Sequence, residues 1–360
     1  MGLTHDMRSS IIPGFDGSTA VERPWESPRT SRLVFALGQE SQTCFRPGFD
    51  PAQFPEVDVR WLTMDGLTLA DWERELRELN PTVLVTGWRS RRVPEDYLPA
   101  EECALRYVCH LTGSVREVVP RVLIERGVVV TNWGNAISHT IAEHAMLLVL
   151  ACLRSMPQWP HYMEQWTRRR VLATRSLRGK RVGVHGFGAI ARELIAMLRP
   201  FGAEVVAFSH GVPSAMYHEH AVRSCDSLET LFSRSDILVE CEALNSCTQG
   251  VVDERMLLLL PPGAVFVNVG RGQVVDEDAL ARVARERGLR VGLDVFRDEP
   301  PAMDSPLRTL PGAILSPHIA GPTEDAFALL WDFAMKNISS YLQGLPLQGV
   351  VTEEIYDRST

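Results

Sequence analysis

The chain has 360 residues, 45% hydrophobic and 23% charged, with 26 Gly and 23 Pro. That balance excludes fibrous, collagen-like and wholly disordered chains, and at roughly 150 residues per domain it leaves room for two domains with sizeable cores. Lys and Arg number 37 against 45 Asp and Glu, a formal net charge of -8, so no broad basic surface is available for nucleic acid or anionic lipid.

Residues 1–30 mix Ser, Pro, Gly and charge without periodicity and read as a tail too polar to offset its own ordering entropy. They lack the cationic start and apolar core of a secretory signal, and the longest apolar run, Ala145 to Cys152, is too short to span a bilayer. The seven cysteines are scattered and never spaced C-x-x-C, so neither a disulfide framework nor a structural zinc site is expected. A reduced, cytoplasmic protein with no nucleic acid, membrane or metal partner is the expectation. From Arg32 onward, apolar runs of strand length recur in RLVFALG, VDVRWL, TVLVTGW, LRYVCHL and VVVTNW, separated by helical patterns such as LADWERELREL. This alternation predicts α/β structure with a parallel sheet covered on both faces. A long apolar-periodic stretch, Ile137 to Met156, reads as a helix between two domains, and a second alternating set begins at Arg181. A last helical pattern covers Glu324 to Leu342.

The strongest local signal is Gly186-Phe187-Gly188-Ala189-Ile190-Ala191, which follows the apolar strand Val182 to His185 and opens a helix. In that context Gly186 permits the tight turn and Gly188 lets backbone N–H groups approach a pyrophosphate at the helix N-terminus. The small Ala191 allows the helix to pack closely on the strand. An NAD-binding fold usually ends its next strand with Asp or Glu, about 20 residues on, to hold the ribose 2′-hydroxyl. Here that strand ends Phe208-Ser209-His210 with no Arg or Lys beside Ser209, so the choice between NAD and NADP stays open. The triplet His218-Glu219-His220 reads as a solvated loop rather than a metal site.

Three further motifs follow apolar strands: Asn268-Val269-Gly270-Arg271-Gly272, Gly292-Leu293-Asp294-Val295-Phe296 with Glu299-Pro300, and Ser316-Pro317-His318-Ile319-Ala320-Gly321. Ligands of open α/β sheets bind outside the carboxyl ends of the strands, so Arg271, Glu299 and His318 are expected in one cleft. Arginine can grip a carboxylate bidentately, histidine can exchange a hydroxyl proton, and glutamate can orient the histidine.

With those motifs in order, the chain from about Arg32 to Val351 resembles the D-isomer-specific 2-hydroxyacid dehydrogenases, the carriers being GFGAIA, NVGRG, GLDVFRDEP and SPHIAG. The resemblance implies two doubly wound parallel-sheet domains, a Rossmann-type dinucleotide domain (134–318) inserted in a flavodoxin-like substrate domain (31–133 and 319–351), with Glu324 to Leu342 returning to the latter. It makes Arg271 the ligand of the substrate carboxylate and carbonyl, Glu299 the partner of the histidine, His318 the acid/base and Asp294 the contact of the nicotinamide carboxamide. NAD or NADP would lie on Gly186, Gly188, Ala189 and Ile190, with Ser209 and His210 at the ribose. Backbone N–H groups of Gly113, Ser114 and Val115 would hold the carboxylate of a small anionic substrate. Arg116, where many members carry a neutral or acidic residue, is weighed as a ligand of a second anionic group against a solvated surface arginine.

Departures from the family pattern are Ala191 for the third glycine, Ser209 for the usual Asp, and Glu240-Cys241-Glu242-Ala243-Leu244-Asn245 in place of a Pro-containing segment near the ribose. The resemblance further suggests a homodimer through the dinucleotide domain, with Ile137 to Met156 as part of its interface. Activity on a 2-oxoacid and its D-2-hydroxyacid is the expected function. Two alternatives share the same Arg, Glu and His: phosphite or phosphonate oxidation, and nicotinamide sensing without catalysis, as in C-terminal binding protein corepressors.

Overall fold

The computed structural model describes residues 31–45, 49–97, 103–164, 166 and 172–358; the expected tail, residues 1–30, lies outside them. Two compact units emerge. Of the described residues, the first unit holds those up to Asn135 together with Ala328–Tyr356, and the second holds Ala136–Phe327 with Asp357 and Arg358.

In the first unit, five strands, β1 (Arg32–Leu37), β2 (Asp58–Thr63), β3 (Val83–Thr86), β4 (Tyr107–His110) and β5 (Val129–Thr131), pair in the order β2-β1-β3-β4-β5. Every pairing is parallel, which is the flavodoxin-like order. The middle strands β1, β3 and β4 are almost wholly buried because a parallel sheet is covered on both faces. Val34, Ala36, Leu84, Val108 and Val130 point to a core shared with Trp72 and Leu76 of the Leu69–Leu79 helix. That helix starts where the Thr68 side chain accepts the Asp71 N–H, and it ends at Asn80 in a left-handed conformation. Successive side chains of a strand face opposite sides. Phe35 accordingly stacks on Trp61 at 4.2 Å and on Trp331 at 5.9 Å, while Tyr107 meets Tyr341 at 4.6 Å. Trp331 and Tyr341 belong to the helix Ala326–Gln343, which packs on the first sheet.

The second unit carries β6 (Arg181–His185), β7 (Glu204–Phe208), β8 (Arg223–Ser224), β9 (Ile237–Glu240), β10 (Val265–Asn268), β11 (Arg290–Leu293) and β12 (Ile314–Leu315). Their order is β12-β11-β10-β9-β6-β7-β8, again all parallel. The chain runs outward from β6 to β8, crosses back to β9 and runs outward the other way. The switch point of this Rossmann order therefore falls between β6 and β9. Val182, Val184, Ile237, Val239, Val265 and Val267 fill one face, and Leu238, Phe266 and Val291 fill the other.

The fold places one helix and one boundary. The Ile137 to Met156 pattern forms the helix Ser138–Leu153, which belongs to the second unit. Ala142, Ala145, Leu148, Val149 and Cys152 pack into the second unit's core, because its apolar positions match one face of that sheet. The chain also leaves the second unit at 327/328 rather than 318/319, because the Ser316–Gly321 loop is bonded into that unit through Asp294 and Thr140.

Candidate active site

Strand β6 delivers the glycine turn. Gly186 has φ +104°, and a Cβ there would lie 2.7 Å from the carbonyl carbon of Cys241, so no other residue fits. Gly188 is the extended N-cap of the helix Ala189–Leu198, and a Cβ on it would meet nothing within 4 Å. The space in front of the helix N-terminus is thus clear where a pyrophosphate would approach the amides of Ala189 and Ile190, which are partly exposed. Ala191 is buried, as close packing on the strand requires. These residues fit a dinucleotide.

At the end of β7 the Ser209 hydroxyl is already engaged, donating to Glu242 Oε2 at 2.6 Å, and the Ser209 N–H donates to the Tyr217 hydroxyl at 2.9 Å. His210 beside it is exposed. Behind the turn lies a cluster that motif reading overlooked. His185 Nδ1 meets Glu240 Oε2 at 2.6 Å, Glu240 Oε1 accepts the Glu242 N–H at 2.8 Å, and His185 Nε2 lies 3.9 Å from Glu242 Oε2. Burial works against the His185 imidazolium, yet Glu240, with Glu242 behind it, more than offsets this and holds its pKa above the ordinary value. The available signal was a charged residue closing each of two apolar strands, RVGVH and ILVE, since a buried carboxylate demands a partner.

Past β10, β11 and β12 stand Arg271, Glu299 and His318. His318 Nδ1 and Glu299 Oε2 are 2.6 Å apart, and the other Glu299 oxygen accepts the Phe296 N–H at 3.0 Å. Burial raises the Glu299 pKa, but the bonds from His318 and Phe296 and the charges of His318 and Arg271 win, holding it below the usual carboxylate range. Burial draws the Arg271 pKa down against the opposing pull of Glu299, so the two charges act on each other. Arg271 Nη1 also donates to the Gly270 carbonyl at 2.8 Å. The structure brings these three side chains to one end of one sheet.

His318 has φ +53°, an uncommon conformation for a side chain of its size, held by its N–H donating to the Asp294 carbonyl at 2.9 Å. Asp294 is buried and its carboxylate is occupied. Oδ1 accepts from Ser316 Oγ at 2.6 Å and from the Ile319 N–H at 2.9 Å, and Oδ2 accepts from the Ala320 N–H at 2.9 Å. His144 Nε2 joins the network, 2.9 Å from Ser316 Oγ. Asp294 therefore ties down the histidine loop, a role that its motif did not announce.

In the first unit, Gly113 follows β4 with its carbonyl accepting from Asn132 Nδ2 at 2.6 Å, and a Cβ on it would press against Trp133 at 2.9 Å. The N–H groups of Gly113, Ser114 and Val115 donate to no acceptor among the described residues. Arg116 is engaged within the first unit. Its Nε donates to the Tyr356 carbonyl at 2.8 Å and its guanidinium lies over the Tyr356 ring at 5.6 Å, which fastens the last helix, Glu353–Arg358. Among the described residues no group of three or more His, Cys, Asp or Glu is placed to hold a metal ion, and no helix is long and apolar enough to cross a membrane.

Comparison with known proteins agrees with this geometry. Residues 146–320 match the family model for the NAD binding domain of D-isomer specific 2-hydroxyacid dehydrogenases. A D-3-phosphoglycerate dehydrogenase of Mycobacterium leprae is 35% identical over 75% of this chain and 50% of its own length. A glyoxylate/hydroxypyruvate reductase of Arabidopsis thaliana is 30% identical over 62% of this chain and 68% of its own. The chain spans about half the length of the curated D-3-phosphoglycerate dehydrogenases that it matches. Among solved structures, a glyoxylate reductase from Paecilomyes thermophila shares the fold, with a TM-score of 0.75 at 19% identity over 90% of this chain and 99% of that one. The ordered motifs, the doubly wound sheets and a 30% identical relative covered over two thirds of its length lead to one conclusion: the chain belongs to the D-isomer-specific 2-hydroxyacid dehydrogenase family.

Proposed function

We propose that the chain is a nicotinamide-dependent oxidoreductase interconverting a small 2-oxoacid and its D-2-hydroxyacid. The observation that carries this reading is the 2.6 Å contact of His318 Nδ1 with Glu299 Oε2, beside Arg271, at the carboxyl end of a sheet that opens on a glycine turn. When bound, NAD(H) or NADP(H) supplies or takes up the hydride.

In the reducing direction the Arg271 guanidinium holds the substrate carboxylate and stabilises the charge that develops on the carbonyl oxygen. His318, with Nδ1 committed to Glu299, donates a proton from Nε2 to that oxygen; in oxidation the neutral ring takes the proton back. Glu299 fixes the ring's tautomer and orientation. We assign the amides of Gly113, Ser114 and Val115 to binding an anionic group, since successive N–H groups form an anion-binding nest. All seven cysteines are free, which suits a cytoplasmic location. A homodimer through the second unit is part of the reading, and on its helix Ser138–Leu153 the exposed Leu147 is available to such an interface; sedimentation of monomer alone would remove it.

The test is consumption of NADH and NADPH by the purified chain given pooled glyoxylate, pyruvate, hydroxypyruvate and phenylpyruvate, with His318→Ala alongside. Turnover that falls by about 100-fold or more in the variant supports the assignment. Binding of cofactor without turnover of any 2-oxoacid refutes it in favour of a sensor or of an unusual anion.

A further inference from the structure

We propose that Glu242 takes the place of the missing acidic residue at the end of β7, accepts the adenosine ribose hydroxyl, and makes this chain select NAD(H) over NADP(H). The inference rests on the dinucleotide site proposed above and concerns only which dinucleotide that site takes.

In a Rossmann sheet the ribose acceptor is ordinarily carried by the strand that follows the glycine turn, and here that position is Ser209, which bears no charge. The Ser209 hydroxyl does not stand alone, however. It donates at 2.6 Å to Glu242 Oε2, so a carboxylate occupies the end of β7 although it is supplied from the segment after β9. Two features show that this segment belongs to the glycine turn. A Cβ on Gly186 would lie 2.8 Å from the Glu242 nitrogen, and the Glu242 N–H is itself pinned by Glu240 Oε1 at 2.8 Å. Glu242 is thus anchored by its backbone at the turn and by its side chain at the strand where a ribose is expected.

The electrostatics point the same way. Glu240 is fully buried and engages His185 Nδ1 at 2.6 Å, while His185 Nε2 lies 3.9 Å from Glu242 Oε2, beyond direct hydrogen-bonding range. The cluster sets two acidic side chains against one histidine. The loop after β7, Ser209-His210-Gly211-Val212-Pro213, contains no Arg or Lys to compensate it. A ribose hydroxyl can donate to Glu242, whereas a 2′-phosphate would bring its own negative charge against a carboxylate that has little water to screen it.

The experiment is calorimetric titration of the full chain with NADH, NADPH, ADP-ribose and 2′-phospho-ADP-ribose, for the wild type, Glu242→Gln and Ser209→Ala. The wild type is expected to bind each unphosphorylated ligand about tenfold or more tightly than its 2′-phosphorylated counterpart, the discrimination of one charged contact. Glu242→Gln should shrink that ratio by about fivefold or more, chiefly by tightening the phosphorylated ligands. Ser209→Ala, which releases the carboxylate without removing it, should weaken NADH by about threefold or more. Equal affinities in the wild type overturn the proposal without any variant. An unchanged ratio in Glu242→Gln, or unchanged NADH affinity in Ser209→Ala, overturns it too. If the wild type binds none of the four ligands, the dinucleotide site itself is refuted. Binding without 2-oxoacid turnover would refute the reaction while leaving the ribose assignment to be judged by the ratios.

Discussion

Lowering the pH should destabilise the first unit through a single histidine. His110 ends β4 just ahead of the Gly113 loop and is 3% exposed, with Thr86 Oγ1 2.9 Å from Nδ1 and Thr112 Oγ1 2.6 Å from Nε2. Burial pushes its pKa down to about 4, against a weaker upward pull from a backbone hydrogen bond with Ser114. An unfolded histidine titrates near 6.5, so between the two values the unfolded chain holds a proton that the folded chain refuses. Stability is therefore complete above about pH 6.5, declines as pH falls, and has lost about 3 kcal/mol below about pH 4. At pH 5 the linkage relation gives a loss of about 2 kcal/mol. Five of the seven described tryptophans, Trp61, Trp72, Trp88, Trp133 and Trp331, lie in this unit, so urea unfolding followed by tryptophan fluorescence reports on it. Measured at pH 7.5 and pH 5, the wild type should lose about 2 kcal/mol more than His110→Gln, whose side chain keeps a donor and an acceptor but does not titrate. Equal losses in the two proteins would refute the argument, because contributions from every other group cancel in the difference.

Three further expectations concern the second unit. In Glu299→Gln the carboxylate that orients His318 and faces Arg271 is gone, so kcat for 2-oxoacid reduction should fall about tenfold or more; an unchanged kcat would remove Glu299 from the mechanism. Gly272→Ala would drive a Cβ into the backbone carbonyl of Phe296, prising apart the segments that carry Arg271 and Glu299. A loss of about 1–3 kcal/mol and a fall of several degrees in Tm are expected, and an unaltered thermal melt would contradict the packing. Asp294→Asn replaces an oxygen that accepts the Ala320 N–H or the Ser316 hydroxyl with an amide that donates, so kcat should drop about tenfold or more while hydrogen exchange quickens across residues 316–321. Normal exchange protection in that variant would show that Asp294 does not hold the loop.

Much of this could be read from the order of residues alone. Strands such as RLVFAL and TVLVT announce burial on two faces, and a turn like GFGAIA demands its glycines for reasons of backbone geometry that hold wherever it occurs. Arg271, Glu299 and His318 were legible because each sits just after a strand, and parallel strands deliver their carboxyl ends to one side. What the order of residues did not settle depends on distance between positions far apart in the chain. That Asp294 spends its carboxylate on the histidine loop, and that Arg116 clasps Tyr356, are hydrogen bonds made only after folding. The helix Ser138–Leu153 illustrates the same limit, since its apolar periodicity showed that one face would be covered but not by which sheet. Ser209 makes the point most sharply. As a letter it marks a missing carboxylate, and only the register of β7 beside β6 and of β6 beside β9 brings Glu242 within 2.6 Å to supply one.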